Sequence, residues 1–372
     1  MSVKRINEIC TKGTSNLKQK DVEGENGIYP VYGASGLISK VDFYQQENEY
    51  IAIVKDGSGI GRVTFLPPKS SVIGTMQYIL PIKGFDIKYV CYCLQSLDLT
   101  KYKQGAAIPH IYFRDYGERL VNVTEDSKEQ ERIVKILDAA FEKIDRLKEN
   151  AEKGLQAVKD LWQATLREEL KPKEGWKKYL LKEIITDITY GTSVPSCENG
   201  EYVYLRMNNI TNDGRLDLKG SKTINLSDKE LEKCLVKKGD ILFNRTNSLD
   251  LVGKSCVFDQ ETPMVIAGYI IRIRLQNDYD SQFVSYAMNY MKSLGMYRNL
   301  VVGAVHQANI SAKAIQTIHL DLPNLNIQKD IVTKLDAISS KCNLLRDNYL
   351  QELDKYEALK QSILRKAFSG EL

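Results

Sequence analysis

Two hydrophobic rhythms alternate along the chain. From Glu129 to Leu170 apolar residues recur at Ile133, Leu137, Ala140, Ile144, Leu147, Ala151, Val158, Leu161 and Thr165 or Leu166. Steps of four and three keep these positions on one stripe, which predicts a helix packed lengthwise against another. Gly154, with Leu155 beside it, interrupts the stripe, and the next proline is Pro172. Such a helix would be roughly 60 Å long, longer than an ordinary globular helix, so it needs a partner. The partner predicted is the C-terminal stretch from Gln328 to Phe368. Shifting the first stretch by 198 positions lays Gln130 on Gln328, Ile133 on Ile331, Leu137 on Leu335, Asp138 on Asp336, Leu147 on Leu345 and Asn150 on Asn348. Leu161 falls on Leu359, Gln163 on Gln361 and Arg167 on Arg365. Unrelated amphipathic helices share a seam easily, but not the Gln, Asp, Asn and Arg between the seam positions. The chain therefore reads as a duplication.

Elsewhere the pattern shortens. Runs such as Tyr50-Ile-Ala-Ile-Val54, Arg62-Val-Thr-Phe65 and Met76-Gln-Tyr-Ile-Leu80 lie between Gly33, Gly36, Gly57, Gly59, Gly61, Pro67 and Pro68, the marks of short strands and turns. Tyr89 to Ser96 reads as a short helix among them. A second set follows, with Glu201 to Arg206, Gly239 to Phe243, Gly253 to Phe258 and Val265 to Arg274. Gly61-Arg62 answers Gly253-Lys254, Val72-Ile-Gly answers Val265-Ile-Ala, and Gly105-Ala106 answers Gly303-Ala304. The expected architecture is α+β: β-rich domains at 1–125 and 173–325, and helices at 126–172 and 326–372 that pair as an antiparallel coiled coil in a pseudo-two-fold internal repeat. Two similar, differently decorated heads suit the reading of two unlike sites a set distance apart.

Charge changes this picture little. At +4, with a sequence pI near 8.4, the chain is mildly basic, compatible with nucleic acid without pointing to it. Seven cysteines without a C-x-x-C pair suit buried thiols in a reducing compartment. The start leads into no apolar leader, and no run reaches the length of a membrane span, so a cytoplasmic protein away from membranes is expected.

Catalytic patterns are weak. Asp56-Gly-Ser-Gly-Ile-Gly61 after a strand resembles a cofactor loop, yet Arg62-Val-Thr-Phe and Pro67-Pro68 follow where a helix N-terminus would be required, so a β-hairpin is expected. The three histidines, His110, His306 and His319, form no recognisable triad or metal motif. No cofactor or metal is expected in this chain. Nucleic-acid contact has better support, because phosphates take Lys, Arg and Ser while base edges take Arg, Asn, Gln and Ser or Thr. Candidate contacts in the first head are Lys18, Lys20, Tyr32, Ser35, Lys55, Ser58, Arg62, Gln77, Lys101, Lys103 and His110. In the second they are Tyr190, Thr192, Ser193, Arg206, Asn208, Asn209, Arg245, Asn247, Ser248, Lys254, His306 and Gln307. His110 and His306 follow the two Gly-Ala pairs and read as counterparts. The 21 tyrosines against 9 phenylalanines add rings that pack while offering a hydroxyl.

Together these residues resemble the specificity subunit of type I restriction–modification systems. The resemblance rests on Tyr29-Pro-Val-Tyr-Gly-Ala-Ser-Gly36, the Lys55 to Arg62 hairpin, Gly74 to Leu80, Gly239 to Arg245 with Leu251 to Lys254, and the Gln-led helices at Glu129 and Ile327. It implies a non-catalytic subunit whose two target-recognition domains each read half of a bipartite double-stranded DNA sequence. Its partners would be two DNA-methyltransferase subunits, which hold S-adenosylmethionine, and ATP-driven restriction/translocase subunits. Two alternatives stay open. A methyltransferase or nuclease with its own recognition module would need an N/D-P-P-Y/F loop or an acidic strand cluster, neither of which stands out. A coiled-coil scaffold with protein-binding heads is compatible with the sequence.

Overall fold

The computed structural model describes residues 1–105, 109–304 and 307–372. The chain divides into two compact units, one of residues 1–154 with 348–372 and one of residues 155–347.

In the first unit a four-stranded antiparallel sheet runs Cys10–Thr14, Met76–Pro81, Tyr50–Val54, Val63–Leu66. Tyr50–Val54 is central and buried at all five positions, which is why it reads as an unbroken apolar run rather than an alternation. Ile51 and Ile53 join the cluster around helix Ile87–Gln95, and Tyr50, Ala52 and Val54 fill a second core on the other face. A three-stranded sheet, Gly36–Val41, Tyr29–Gly33, Ser71–Val72, includes a parallel pair in which Tyr32 lies opposite Val72. Ser2–Arg5 pairs with Leu120–Val123.

The second unit repeats this plan. Its four-stranded antiparallel sheet runs Ile185–Tyr190, Ile270–Leu275, Ile241–Asn244, Ser255–Val257. Its second sheet runs Lys222–Ile224, Tyr202–Leu205, Met264–Ile266, Leu235–Val236, again with a parallel pair, Leu205 opposite Ile266. Lys177–Leu180 pairs with His319–Leu322. Helix Ser281–Ser293 stands where Ile87–Gln95 stands, each capped by an aspartate (Asp280, Asp86) accepting from the main chain three residues on.

The long helices span Ser127–Leu170 and Leu325–Ser369. In the first unit Lys148 pairs with Glu357, Lys360 with Asp145 at 3.8 Å, and Arg132 donates to the Leu372 carbonyl, so the two segments run antiparallel. In the second unit Lys334 pairs with Glu169, while Trp162 and Leu155 lie beside Cys342 and Arg346. The inward line of the first helix runs Ile133, Leu137, Phe141, Ile144, Lys148, Ala151, Leu155, Val158, Trp162, Leu166 and Glu169, following the about 3.6-residue turn of an α-helix. Leu147 and Leu161, expected on the seam, are instead 44% and 51% exposed, and their counterparts Leu345 and Leu359 are exposed too. Lys148 takes the inward seat by lying along the partner segment with its ammonium on Glu357, and Trp162 takes it by packing against the Tyr286 ring at 5.7 Å.

The polar residues shared by the helices attach each head to its helix. Buried Gln130 accepts from the Asp86 amide and donates to the carbonyls of Gly84 and Thr124. Buried Gln328 accepts from the Asp280 amide at 2.8 Å and donates to the Pro323 carbonyl. Tyr92 donates to Asp138 and Tyr286 to Asp336. Gly154, the gap in the stripe, has no such duplicate: any Cβ there would strike the Tyr349 ring.

Candidate nucleic-acid interface

In the first head the chain leaves Tyr50–Val54 through a turn that Gly57, Gly59 and Gly61 permit, with φ of 85°, 86° and 80°. The Gly61 amide returns to the Val54 carbonyl, closing the hairpin expected from sequence. Arg62 donates to the Ala34 carbonyl at 2.7 Å, tying this hairpin to the turn of the neighbouring sheet. Between the two turns lies a cleft of about 440 Å³ lined in part by Gln19, Ser35, Asp56, Ser58, Arg62 and Thr75. The Asp56 carboxylate accepts from His110 Nδ1 at 2.6 Å, and the His110 ring stacks on Tyr112. Of the expected contacts, Ser35, Ser58 and Arg62 line this cleft; Lys55 and His110 adjoin Asp56. Lys18 and Lys20 are exposed around Gln19, and Lys101 and Lys103 are exposed in and after the turn Leu99–Tyr102. Tyr32 is half-buried against the core around Tyr50. Gln77 does not belong to the surface: it is 4% exposed on a strand between two others, its amide held by the Tyr116 hydroxyl.

In the second head Arg245 lies over the Tyr190 ring at 4.8 Å and donates to the Gly268 carbonyl. Tyr190 in turn accepts from the Ala312 amide. Ser193, Asn208 and Gln307 are exposed, and Asn247 and Ser248 are half-buried at the hairpin turn. Arg206 is half-buried and donates to the Gly220 carbonyl. Three expected contacts are interior. Thr192 is 2% exposed and accepts from the Val194 amide. Asn209 is 2% exposed and is consumed by the Arg206 amide, the Asp217 carbonyl and the Ser221 hydroxyl. Lys254 is buried with its ammonium on the Ile210 carbonyl, and burial pulls its pKa below the usual lysine value. Asn209 and Lys254 are engaged by the segment from Arg206 to Ser221, and Thr192 by the turn at Val194 and the bridge to Ala267. His306 lies outside the described residues.

The main-chain hydrogen bonds superimpose the two sites position by position. The Lys55 amide donates to the Thr75 carbonyl and the Arg245 amide to the Tyr269 carbonyl. Ile111 donates back to Lys55, and Ile310 donates back to Arg245. Asp56 bridges His110, and Thr246 pairs with Asn309. The counterpart of His110 is therefore Asn309, not His306: His110 pairs back to Gln104 as Asn309 pairs back to Val302, and His306 precedes that position. One frame thus carries Lys55, Asp56, Thr75 and His110 in the first head and Arg245, Thr246, Tyr269 and Asn309 in the second. Asp56, Thr75, Tyr269 and Asn309 were missed from sequence. The available signal was Ile111 and Ile310, each following one of these residues just before a helical turn.

The chain is similar to known proteins. The chain is 27% identical over 310 residues to the type I restriction enzyme EcoKI specificity subunit of Escherichia coli K12, covering 79% of this chain and 66% of that one. It is 28% identical over 269 residues to the StySPI specificity subunit of Salmonella potsdam, covering 68% of this chain and 58% of that one. The matched parts are thus less than two thirds of either relative's length. A solved chain from a type I R-M system, described in terms of complex assembly and conformational transition, shares the fold at a TM-score of 0.72, with 17% identity over 100% of this chain and 98% of that one. The family model for the type I restriction modification DNA specificity domain matches residues 1–156 and again 173–355, and the chain accordingly belongs to that family.

Proposed function

We propose that this chain is the non-catalytic DNA-recognition subunit of a type I restriction–modification complex, working in the cytoplasm. Each head reads one half of a bipartite double-stranded target, and the helices set the gap and dock two DNA-methyltransferase subunits. Restriction/translocase subunits complete the assembly; S-adenosylmethionine and ATP belong to those partners. The observation that carries this reading is the double match of the specificity-domain model to two heads that share one frame and differ in the side chains mounted on it. The different side chains call for unlike half-sites. The exposed Leu147, Leu161, Leu345 and Leu359, repeated on both helices, supply apolar surface for the partner subunits.

The domain limits 1–125, 126–172, 173–325 and 326–372 give the test its design. Methylation is mapped genome-wide in cells that carry this chain with its methyltransferase subunits, and in cells lacking only this chain. A split motif that vanishes with the chain supports the reading, and replacing residues 1–125 by another family head should rewrite one half alone. An unaltered methylation map would refute it and favour a scaffold with protein-binding heads.

A further inference from the structure

A protein surface that meets DNA gains from positive charge and loses from negative charge, since it faces a row of phosphates. Asp56 stands against that rule. Its side chain, 28% exposed, opens into the cleft between Ser35, Ser58, Arg62 and Thr75. The fold does not need a carboxylate there. The second head builds the same backbone bridge with Thr246 and Asn309, both uncharged. Lys55 Nζ forms an ion pair with the carboxylate at 3.7 Å from Oδ2, but beyond hydrogen-bond reach, so the lysine leaves that oxygen's acceptor capacity unspent. His110 Nδ1 engages Oδ1 and, with its ring stacked on Tyr112, fixes the carboxylate's orientation, while Oδ2 accepts no hydrogen bond from any described residue. An ionised carboxylate only accepts hydrogen bonds. In the major groove the donors that DNA offers are the exocyclic amino groups, N4 of cytosine and N6 of adenine.

We infer that Asp56 is a specificity-determining residue of the first head, its Oδ2 accepting from the exocyclic amino group of one cytosine or adenine in the half-site, with His110 as the positioning residue. The assignment rests on the DNA-recognition reading and narrows it to one side of one base pair. Guanine and thymine at that position present only acceptors to the carboxylate and are repelled.

The test uses the full chain with its methyltransferase subunits and DNA carrying the motif that methylation mapping defines. Each cytosine of the first half-site is replaced in turn by pyrimidin-2-one, and each adenine by purine, removing one amino group at a time. One replacement should weaken binding by the wild-type complex about tenfold. The same replacement should change binding by the Asp56→Asn complex little, because an amide also donates and discriminates less. Whether the sensitive base is pyrimidine or purine tells cytosine from adenine. His110→Ala should reduce the discrimination at that same base while affinity for the second half-site is kept. If no amino group in the first half-site matters more to wild type than to Asp56→Asn, the assignment is overturned while the split-target reading stands. If the wild-type complex shows no split motif at all, both fall. Should Asp56→Asn fail to fold, the analogue series on wild type alone decides: uniform binding across it refutes the proposal.

Discussion

The two heads share one backbone and almost nothing at its tips. Val54 and Asn244 occupy the same place, each amide donating to the carbonyl of the residue that ends the hairpin, Arg62 or Lys254. Val54 lies in an apolar core; Asn244 is fully buried, with neither end of its amide partnered among the described residues. Arg62 is exposed, whereas Lys254 is buried with its ammonium on the Ile210 carbonyl. The comparison separates what the fold demands, the strand order and its capping hydrogen bonds, from what it merely carries.

The largest expected effect probes the shared part. Gln130→Leu strands three main-chain groups and should cost about 3 kcal/mol in denaturant unfolding; Gln328→Leu strands two and should cost about 2 kcal/mol. Equal costs would show that the third main-chain group held by Gln130 adds nothing. Next comes Gly154, whose place in the second helix is taken by Glu352. Gly154→Leu should destabilise by about 2 kcal/mol through the Tyr349 ring, whereas Glu352→Leu should change stability by less than about 0.5 kcal/mol. A smaller effect depends on pH. Because burial lowers the folded pKa of Lys254 below its unfolded value, the folded state is penalised while the amine is protonated. Stability contributed at this site should therefore rise with pH through the window between the lowered pKa and 10.5, and the difference between wild type and Lys254→Met should move in favour of wild type across it. Arg62→Met, at the exposed counterpart, should show no such trend and shift stability by less than about 0.5 kcal/mol. Smallest for the isolated chain are Leu147→Ser and Leu345→Ser, expected within about 0.5 kcal/mol, although both should abolish co-purification of methyltransferase subunits.

The parts legible in the sequence were those fixed by local period and by repetition. The Gln and Asp shared at an offset of 198 were visible as identities, and their work, gripping Asp86 and Asp280 and taking the Tyr92 and Tyr286 hydroxyls, emerges only from tertiary contact. Leu147 and Leu161 misled because a leucine one position from the inward line looks like a seam residue; Lys148 and Trp162 won those seats with longer side chains. At the interface, polar residue type singled out Thr192, Asn209 and Lys254, but their burial depends on loops that a strand-and-turn pattern does not place. Asp56 was passed over because acidic residues are not sought where phosphates are expected.

The glutamine clamps have one more consequence. Gln130 holds the amide of Asp86 and the carbonyls of Gly84 and Thr124; Gln328 holds the amide of Asp280 and the carbonyl of Pro323. Every one of these partners is a main-chain atom. This part of the mount is blind to the side chains of what it holds, whereas the Tyr92 and Tyr286 hydroxyls on Asp138 and Asp336 tie the rest of it to one ring in each head. Side chains of a head away from those rings can therefore be changed without touching the joint, so the tips and the base of each head are mechanically separate.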